Sequence, residues 1–176
     1  ACGLEVKSLR GLLEPMALRG AGYDASEVQA AGHSFAELRR AGYGAQELHK
    51  LGCRIETLRA LGYQARDLKS LGPISVRDLQ ALGCDARELK DSGESALDLR
   101  LAGFSYAQLK EAGYAVGELW EAGCPARALN YIGYHARDFR DAGLALRILK
   151  EAGFTTWQLL DAGYSKDDLV EIGLMK

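Results

Sequence analysis

The sequence is poor in the residues that usually carry chemistry: three His, four Cys, three Pro and two Trp in 176 residues. The Cys, at positions 2, 53, 84 and 124, have no close partner in the sequence. Neither a disulfide framework nor a short-spaced zinc site is written in them, and a reducing, intracellular, cytoplasmic setting is the default expectation. Charge of one sign is missing as well. With 22 Lys and Arg against 24 Asp and Glu the net charge is −2, so no strong field points toward nucleic acid or an anionic membrane. No run approaches the eighteen apolar residues of a membrane span, and no signal peptide opens the chain. The first residue is Ala, as in an excised or processed piece. His33, His49 and His135 are scattered and build neither a nucleophile–base pair nor a metal site. No catalytic, metal or cofactor-binding residue is assigned; the expectation is a protein that is not an enzyme and carries no cofactor.

What is abundant is Gly, 21 residues, and its placement is periodic. A Gly stands at 22, 32, 42, 52, 62 and 72, then at 83 and every ten residues to 173. Six residues after almost every one stands Leu, with Val28 and Phe139 as substitutes and Leu79 one place late. So strict a period marks a repeat array rather than an ordinary globular domain.

With each unit numbered from its Gly as zero, the run from +3 to +8 consists of good or tolerable helix formers, and the next Gly reads as the left-handed residue that ends the helix. Position +2 is often a capping type (Asp24, Ser34, Asp85, Ser95, Ser105, Thr155, Ser165), and +5 an acid or Gln, which is capping-box spacing. The residue at +1 is often Tyr or Phe. It lies where it can meet the Leu of the outgoing helix and the Leu of the incoming one. A two-turn helix is unstable alone, so stability must come from stacking neighbours.

Residues 1–20 read as a degenerate N-terminal cap: Leu12 replaces the grid Gly, and Pro15 falls where a small apolar residue is expected. Residues 21–176 read as a single decapeptide-repeat solenoid. One unit, at 72–82, has eleven residues, with Pro73 in the aromatic slot and the extra residue before Val76. A longer turn is the plain expectation there, a hinge the sharper one. In the first six units large and small residues swap between +1 and +3 every second unit, as in Tyr43/Ala45 and Cys53/Ile55. This favours two helices per turn, with three left open.

The unit resembles the tandem decapeptide repeats of the form A-G-[YF]-[ST]-x-x-[EQ]-L-[KR]-x, on segments such as Glu111-Ala-Gly-Tyr114, Glu151-Ala-Gly-Phe154 and Asp161-Ala-Gly-Tyr164. The resemblance covers about residues 21–173 and implies a helical solenoid with a loosely defined interaction or scaffold role. It carries over no activity or ligand. Departures are the eleven-residue unit, Glu94 in the aromatic slot and Ile148 in the acid slot.

Two surface features are candidate sites. Basic residues recur at +4 (Arg66, Arg87, Arg127, Arg137 and Arg147, with Arg77 in the longer unit) and again at +7. Such a ladder would suit a phosphate backbone. The acids at +5 and +8 favour instead an ion-paired, solvated face. The second feature is apolar residues in slots that are polar elsewhere: Leu97, Leu101, Trp120, Tyr131, Trp157, Leu160 and Val170, all after residue 96. A cluster of that kind marks a partner or self-association surface, or else faces inward as the array curves.

The sequence thus predicts an all-α solenoid of short helices, one per ten residues. Its expected role is a scaffold or protein-interaction array, with nucleic-acid binding or a purely architectural spacer as alternatives, and no membrane partner.

Overall fold

The computed structural model describes residues 14–176; residues 1–13, most of the expected cap, lie outside the described residues. Contacts divide the chain into two compact units, one ending at Cys84 and the other running from Asp85 to Lys176. The first contains α1 (Pro15–Gly20), α2 (Ala25–Ala30), α3 (Phe35–Arg40), α4 (Ala45–Lys50), α5 (Ile55–Ala60), α6 (Ala65–Lys69) and α7 (Val76–Ala81). The second contains α8 (Ala86–Asp91), α9 (Ala96–Ala102), α10 (Tyr106–Glu111), α11 (Val116–Glu121) and α12 (Ala126–Tyr131). It continues with α13 (Ala136–Asp141), α14 (Leu146–Glu151), α15 (Thr156–Asp161) and α16 (Lys166–Glu171). Among the described residues the fold is all-helical.

Many of the helices begin at a +2 side chain that caps them. Asp24, Ser34, Asp85, Ser95, Ser105, Thr155 and Ser165 all accept from the backbone N–H three residues on. In all of these except Asp85 the residue at +5 reaches back to complete the box. Where +2 has no capping oxygen the acid still does its half: Glu47 accepts from Gly44 N–H at 2.7 Å and Glu118 from Ala115 N–H at 2.7 Å. That explains the persistence of acid at +5 even where +2 varies. Pro15 sits at the first position of α1, where a missing N–H costs nothing.

Each described helix except α6 ends in a Schellman turn. After α3, Gly42 N–H donates to Arg39 C=O at 3.0 Å and Tyr43 N–H to Leu38 C=O at 3.1 Å, with Gly42 at φ 91°. The pattern repeats along both units and exposes the next +1 residue to the Leu it has just bonded. Every +6 residue from Leu18 to Leu169, Val28 and Phe139 included, is 0% exposed. Truncating any of these Leu to Ala is therefore a cavity-forming change of roughly 2–5 kcal/mol. Tyr43, Tyr63, Phe104, Tyr114, Tyr134 and Phe154 are buried beside them, while Tyr23 and Tyr164 are half-buried. Phe139 meets Phe154 edge to face, centroids 5.0 Å apart.

Helices pack on the next and on the next but one: α1 on α2 and α3, α4 on α5 and α6, α11 on α12 and α13, α13 on α14 and α15. The polar cross-links agree. Tyr43 hydroxyl donates to Tyr23 C=O at 2.7 Å and Tyr114 hydroxyl to Glu94 C=O at 2.7 Å, each a twenty-residue step. Within each unit, two helices therefore form a layer, and the alternation at +1 and +3 reports the two sides of that layer.

In the eleven-residue unit the extra residue lies between Gly72 and the N-cap Ser75, which accepts from Asp78 N–H at 3.1 Å. α6 is one residue shorter than its neighbours, and Gly72 opens to φ 155°.

The capping boxes give the array an acid sensitivity. Hydrogen bonds from the Ser34 backbone and hydroxyl hold Glu37 below its ordinary 4.5, and the Ser165 hydroxyl and backbone hold Asp168 below its ordinary 3.8. A carboxylate lowered in the folded state stabilises above its unfolded value and loses that contribution as pH falls through the folded one. The thermal midpoint should therefore be flat above about pH 5 and decline below it. Glu37→Gln with Asp168→Asn should flatten that decline, and an unchanged acid profile would refute the role of the boxes.

Candidate interaction surface

Most +7 side chains are half-buried, with the cations Arg19, Arg140 and Lys150 exposed. They reach across the layer and seat on the turn that ends the helix two units later. Arg19 Nη1 donates to Ala41 C=O at 3.0 Å, Lys110 Nζ to Ile132 C=O at 2.8 Å, Asn130 Nδ2 to Ala152 C=O at 2.9 Å and Lys150 Nζ to Ile172 C=O at 2.6 Å. Lys90 meets Gly113 C=O and Arg140 meets Ala162 C=O in the same way. These carbonyls have no acceptor role inside their own helix, and a cation there also faces the negative end of the helix dipole, worth about 0.3–1 kcal/mol each. Cations of this row lie over the rings that follow the turn: Arg19 Cζ is 5.1 Å from the Tyr43 centroid, Arg39 Cζ 4.4 Å from Tyr63, Lys90 Nζ 4.6 Å from Tyr114 and Lys110 Nζ 5.0 Å from Tyr134.

At Gly42, Gly133 and Gly163 this arrangement gives the turn Gly a second duty. A Cβ on Gly133 would stand 2.9 Å from Lys110 Nζ, and one on Gly42 or Gly163 would collide with the guanidinium of Arg19 or Arg140. Gly supplies the left-handed turn and also leaves the seat for the cation.

The candidate basic ladder at +4 is exposed throughout, at Arg66, Arg77, Arg87, Arg127, Arg137 and Arg147. Arg87 Nη2 donates to Glu111 C=O at 2.7 Å, Arg127 Nε to Glu151 C=O at 3.0 Å and Arg137 Nη2 to Asp161 C=O at 3.4 Å. Three cations of this row, Arg87, Arg127 and Arg137, thus meet backbone carbonyls at helix ends. Carboxylate contacts exist beside them, as in Lys90–Glu118 at 3.9 Å and Arg140–Asp141 at 3.2 Å.

The candidate apolar residues divide. Tyr131 is 91% exposed, Trp157 73%, Leu101 60%, Val170 48% and Leu97 41%. Trp120 and Leu160 are half-buried, since both occupy +7 slots that turn toward the next layer. The members lie on α9, α11, α12, α15 and α16 and so on both sides of the layers. Met16, 65% exposed, is a comparable residue in the first unit. A cleft of about 160 Å³ beside Trp157 is lined by His135, Arg137, Gln158 and Asp161. A wider one of about 540 Å³ is lined by Arg147, Lys150, Glu151, Glu171 and Ile172. Among the described residues no group of three His, Cys, Asp or Glu gathers to hold a metal, and no helix is long and apolar enough to cross a membrane. Cys53 and Cys84 are buried, and burial pushes the Cys124 thiol up to about 11, far from a reactive thiolate.

Sequence reasoning missed the cation seats and the tyrosine hydroxyl ladder. Their signal is an offset of twenty-four residues from cation to ring, as in 39/63, 90/114 and 110/134, and it acquires meaning only once two helices are known to share a layer.

Layers of two short helices, repeated and tied by the same cross-links, define a helical repeat array. The family model described as Decapeptide repeat region matches residues 13–73, 62–135 and 103–176, and the chain belongs to that family. Neither the curated proteins nor the solved structures compared with it gave a match.

Two predictions follow from the seats and the rings. Gly163→Ala should cost more than Gly62→Ala, whose added Cβ meets nothing within 4 Å, by about 0.3–1 kcal/mol in urea unfolding. In an Arg140→Ala background that difference should vanish, and its persistence would show that the seat is not the cause. Burial, with nearby carboxylates adding to it, raises Tyr114 and Tyr134 from 10.0 to about 12. An acid whose folded value is raised stabilises fully below its unfolded value and loses that contribution as pH climbs through the folded one. Stability should thus fall between pH 10 and 12, and the tyrosinate absorbance of the folded chain in excess of that of a Tyr114→Phe, Tyr134→Phe variant should appear only near pH 12.

Proposed function

We propose that the chain is a non-enzymatic scaffold that binds a protein partner along its helical rows, chiefly through the second unit. The observation that supports this most directly is Tyr131, 91% exposed, in a +8 slot that is Asp or Glu in most units from Asp91 to Glu171. Trp157 at 73% exposure stands in a +4 slot held by Arg in several other units. Large aromatics kept in water cost solubility and contribute nothing to the stack, while Tyr and Trp are the side chains that most often anchor protein interfaces. The regular core supports the same reading: the buried residues at +1, +3 and +6 hold the array, which leaves +4 and +8 free to vary.

Nucleic-acid binding remains the competing proposal, through the exposed Arg row. The guanidiniums of Arg87, Arg127 and Arg137 already serve helix ends, which weakens it.

The test is Tyr131→Lys with Trp157→Lys. Both side chains stand in water, so the thermal midpoint should move little, while recovery of a co-purifying protein from a cell extract should fall at least tenfold. Light scattering over a concentration series distinguishes self-association from binding of another protein. Retention on immobilised nucleic acid that collapses between low and physiological salt, and survives the two substitutions, would overturn the proposal in favour of the Arg row.

A further inference from the structure

The one irregular joint of the first unit has a chemical cause. At the junctions described elsewhere, the N–H of the residue after the turn Gly donates to the C=O five residues before it: Tyr63 to Leu58 at 3.2 Å, Cys84 to Leu79 at 3.0 Å, Tyr114 to Leu109 at 3.1 Å. After α6 that residue is Pro73, which has no N–H, so the second Schellman bond cannot form. Gly72 N–H still donates to Lys69 C=O, but at 3.3 Å, and its φ is 155° where the other grid Gly lie between 69° and 105°. The extra residue, Ile74, then lengthens the connection before Ser75 caps α7. No aromatic ring stands in the +1 slot to pin the helices on either side.

The Arg59 side chain runs across this joint. Arg59, on α5, donates from Nη1 to Tyr63 C=O at 3.3 Å, from Nε to Leu82 C=O at 3.2 Å and from Nη2 to Gly83 C=O at 2.9 Å. It thereby ties the end of α5 to the end of α7 and spans the weak connection between α6 and α7. Elsewhere the +7 slot is filled as readily by Lys, at 90, 110 and 150, each with one carbonyl at the next turn but one. Here the planar fork reaches three carbonyls in fixed directions, which an ammonium does not reproduce.

We propose that the Pro73 joint is a built-in point of local opening, and that Arg59 is the strap that holds it closed. Opening there releases the end of α7 from Arg59 on α5 while the helices on the α1 side stay packed. The array is thus not equally stiff along its length.

Hydrogen–deuterium exchange of the whole chain, read by mass spectrometry, tests this. Amides of residues 70–76 should exchange before those of the ten-residue junctions 60–64 and 131–135, by roughly two- to tenfold, as one missing hydrogen bond implies. Arg59→Lys should speed exchange over residues 70–84 by about another tenfold. Arg140→Lys, made at an ordinary junction, should leave that segment unchanged and affect its own turn at 160–164 less. Pro73→Tyr with Ile74 deleted, which restores a ten-residue unit, should slow the segment to the rate of the other junctions. Equal protection of 70–76 and the regular junctions in the parent chain would overturn the proposal. So would an Arg59→Lys effect no larger than that of Arg140→Lys. If Arg59→Lys unfolds the chain outright, the parent and the restored-unit variant still decide the question.

Discussion

Every element of this protein depends on the left-handed glycine that ends each helix. By entering a conformation closed to residues with a Cβ, it lets two backbone amides turn back onto carbonyls that a six-residue helix could not satisfy. Most of the backbone groups of so short a helix are end groups, so the ends decide whether it exists at all. The same glycine brings the next side chain against the outgoing Leu, and its bare Cα gives the cation from two units earlier somewhere to sit. Turn, core contact and cross-layer tie therefore meet at one residue type.

The cross-layer tie changes what the polar surface means. A row of Arg and Lys on a repeat protein invites a reading in terms of ligands, because charge in regular spacing matches regular polymers. Here the free carbonyls of one layer are a regular polymer of acceptors in their own right, and the row matches them. The cation serves three ends at once: it fills orphan acceptors, it opposes the helix dipole, and it covers the face of a buried ring. Arg and Lys both fill these roles and the neutral Asn130 fills the first of them, so the slot varies in sequence while its carbonyl bond is kept.

Departures from the repeat are then the places where something other than stacking acts. Tyr131 and Trp157 leave the pattern outward, into water, and bear on recognition. Trp120 and Leu160 leave it inward, at +7, where a shorter reach toward the neighbouring layer shields them. Pro73 leaves it in the backbone, where no side-chain substitution can replace the missing N–H, and Arg59 compensates from the helix below. Membership of the decapeptide repeat family accounts for what is common to the units, whereas these exceptions belong to this chain.

From the sequence alone one could read the all-α class, the helix bounds, the capping residues, the left-handed Gly and the buried Leu and aromatic columns. All of these follow from local chemistry: a cap and its acid are three residues apart, and a Schellman turn spans six. The number of helices per layer was only hinted at, by the alternation at +1 and +3. The destination of the cations was not legible, because a contact between residues twenty-two to twenty-four apart exists only after the layers have stacked. The exposure of Trp157 against the shielding of Trp120 was hidden for the same reason. Both are aromatic residues in slots that other units give to cations, and only the packing of the next layer settles which of them meets water.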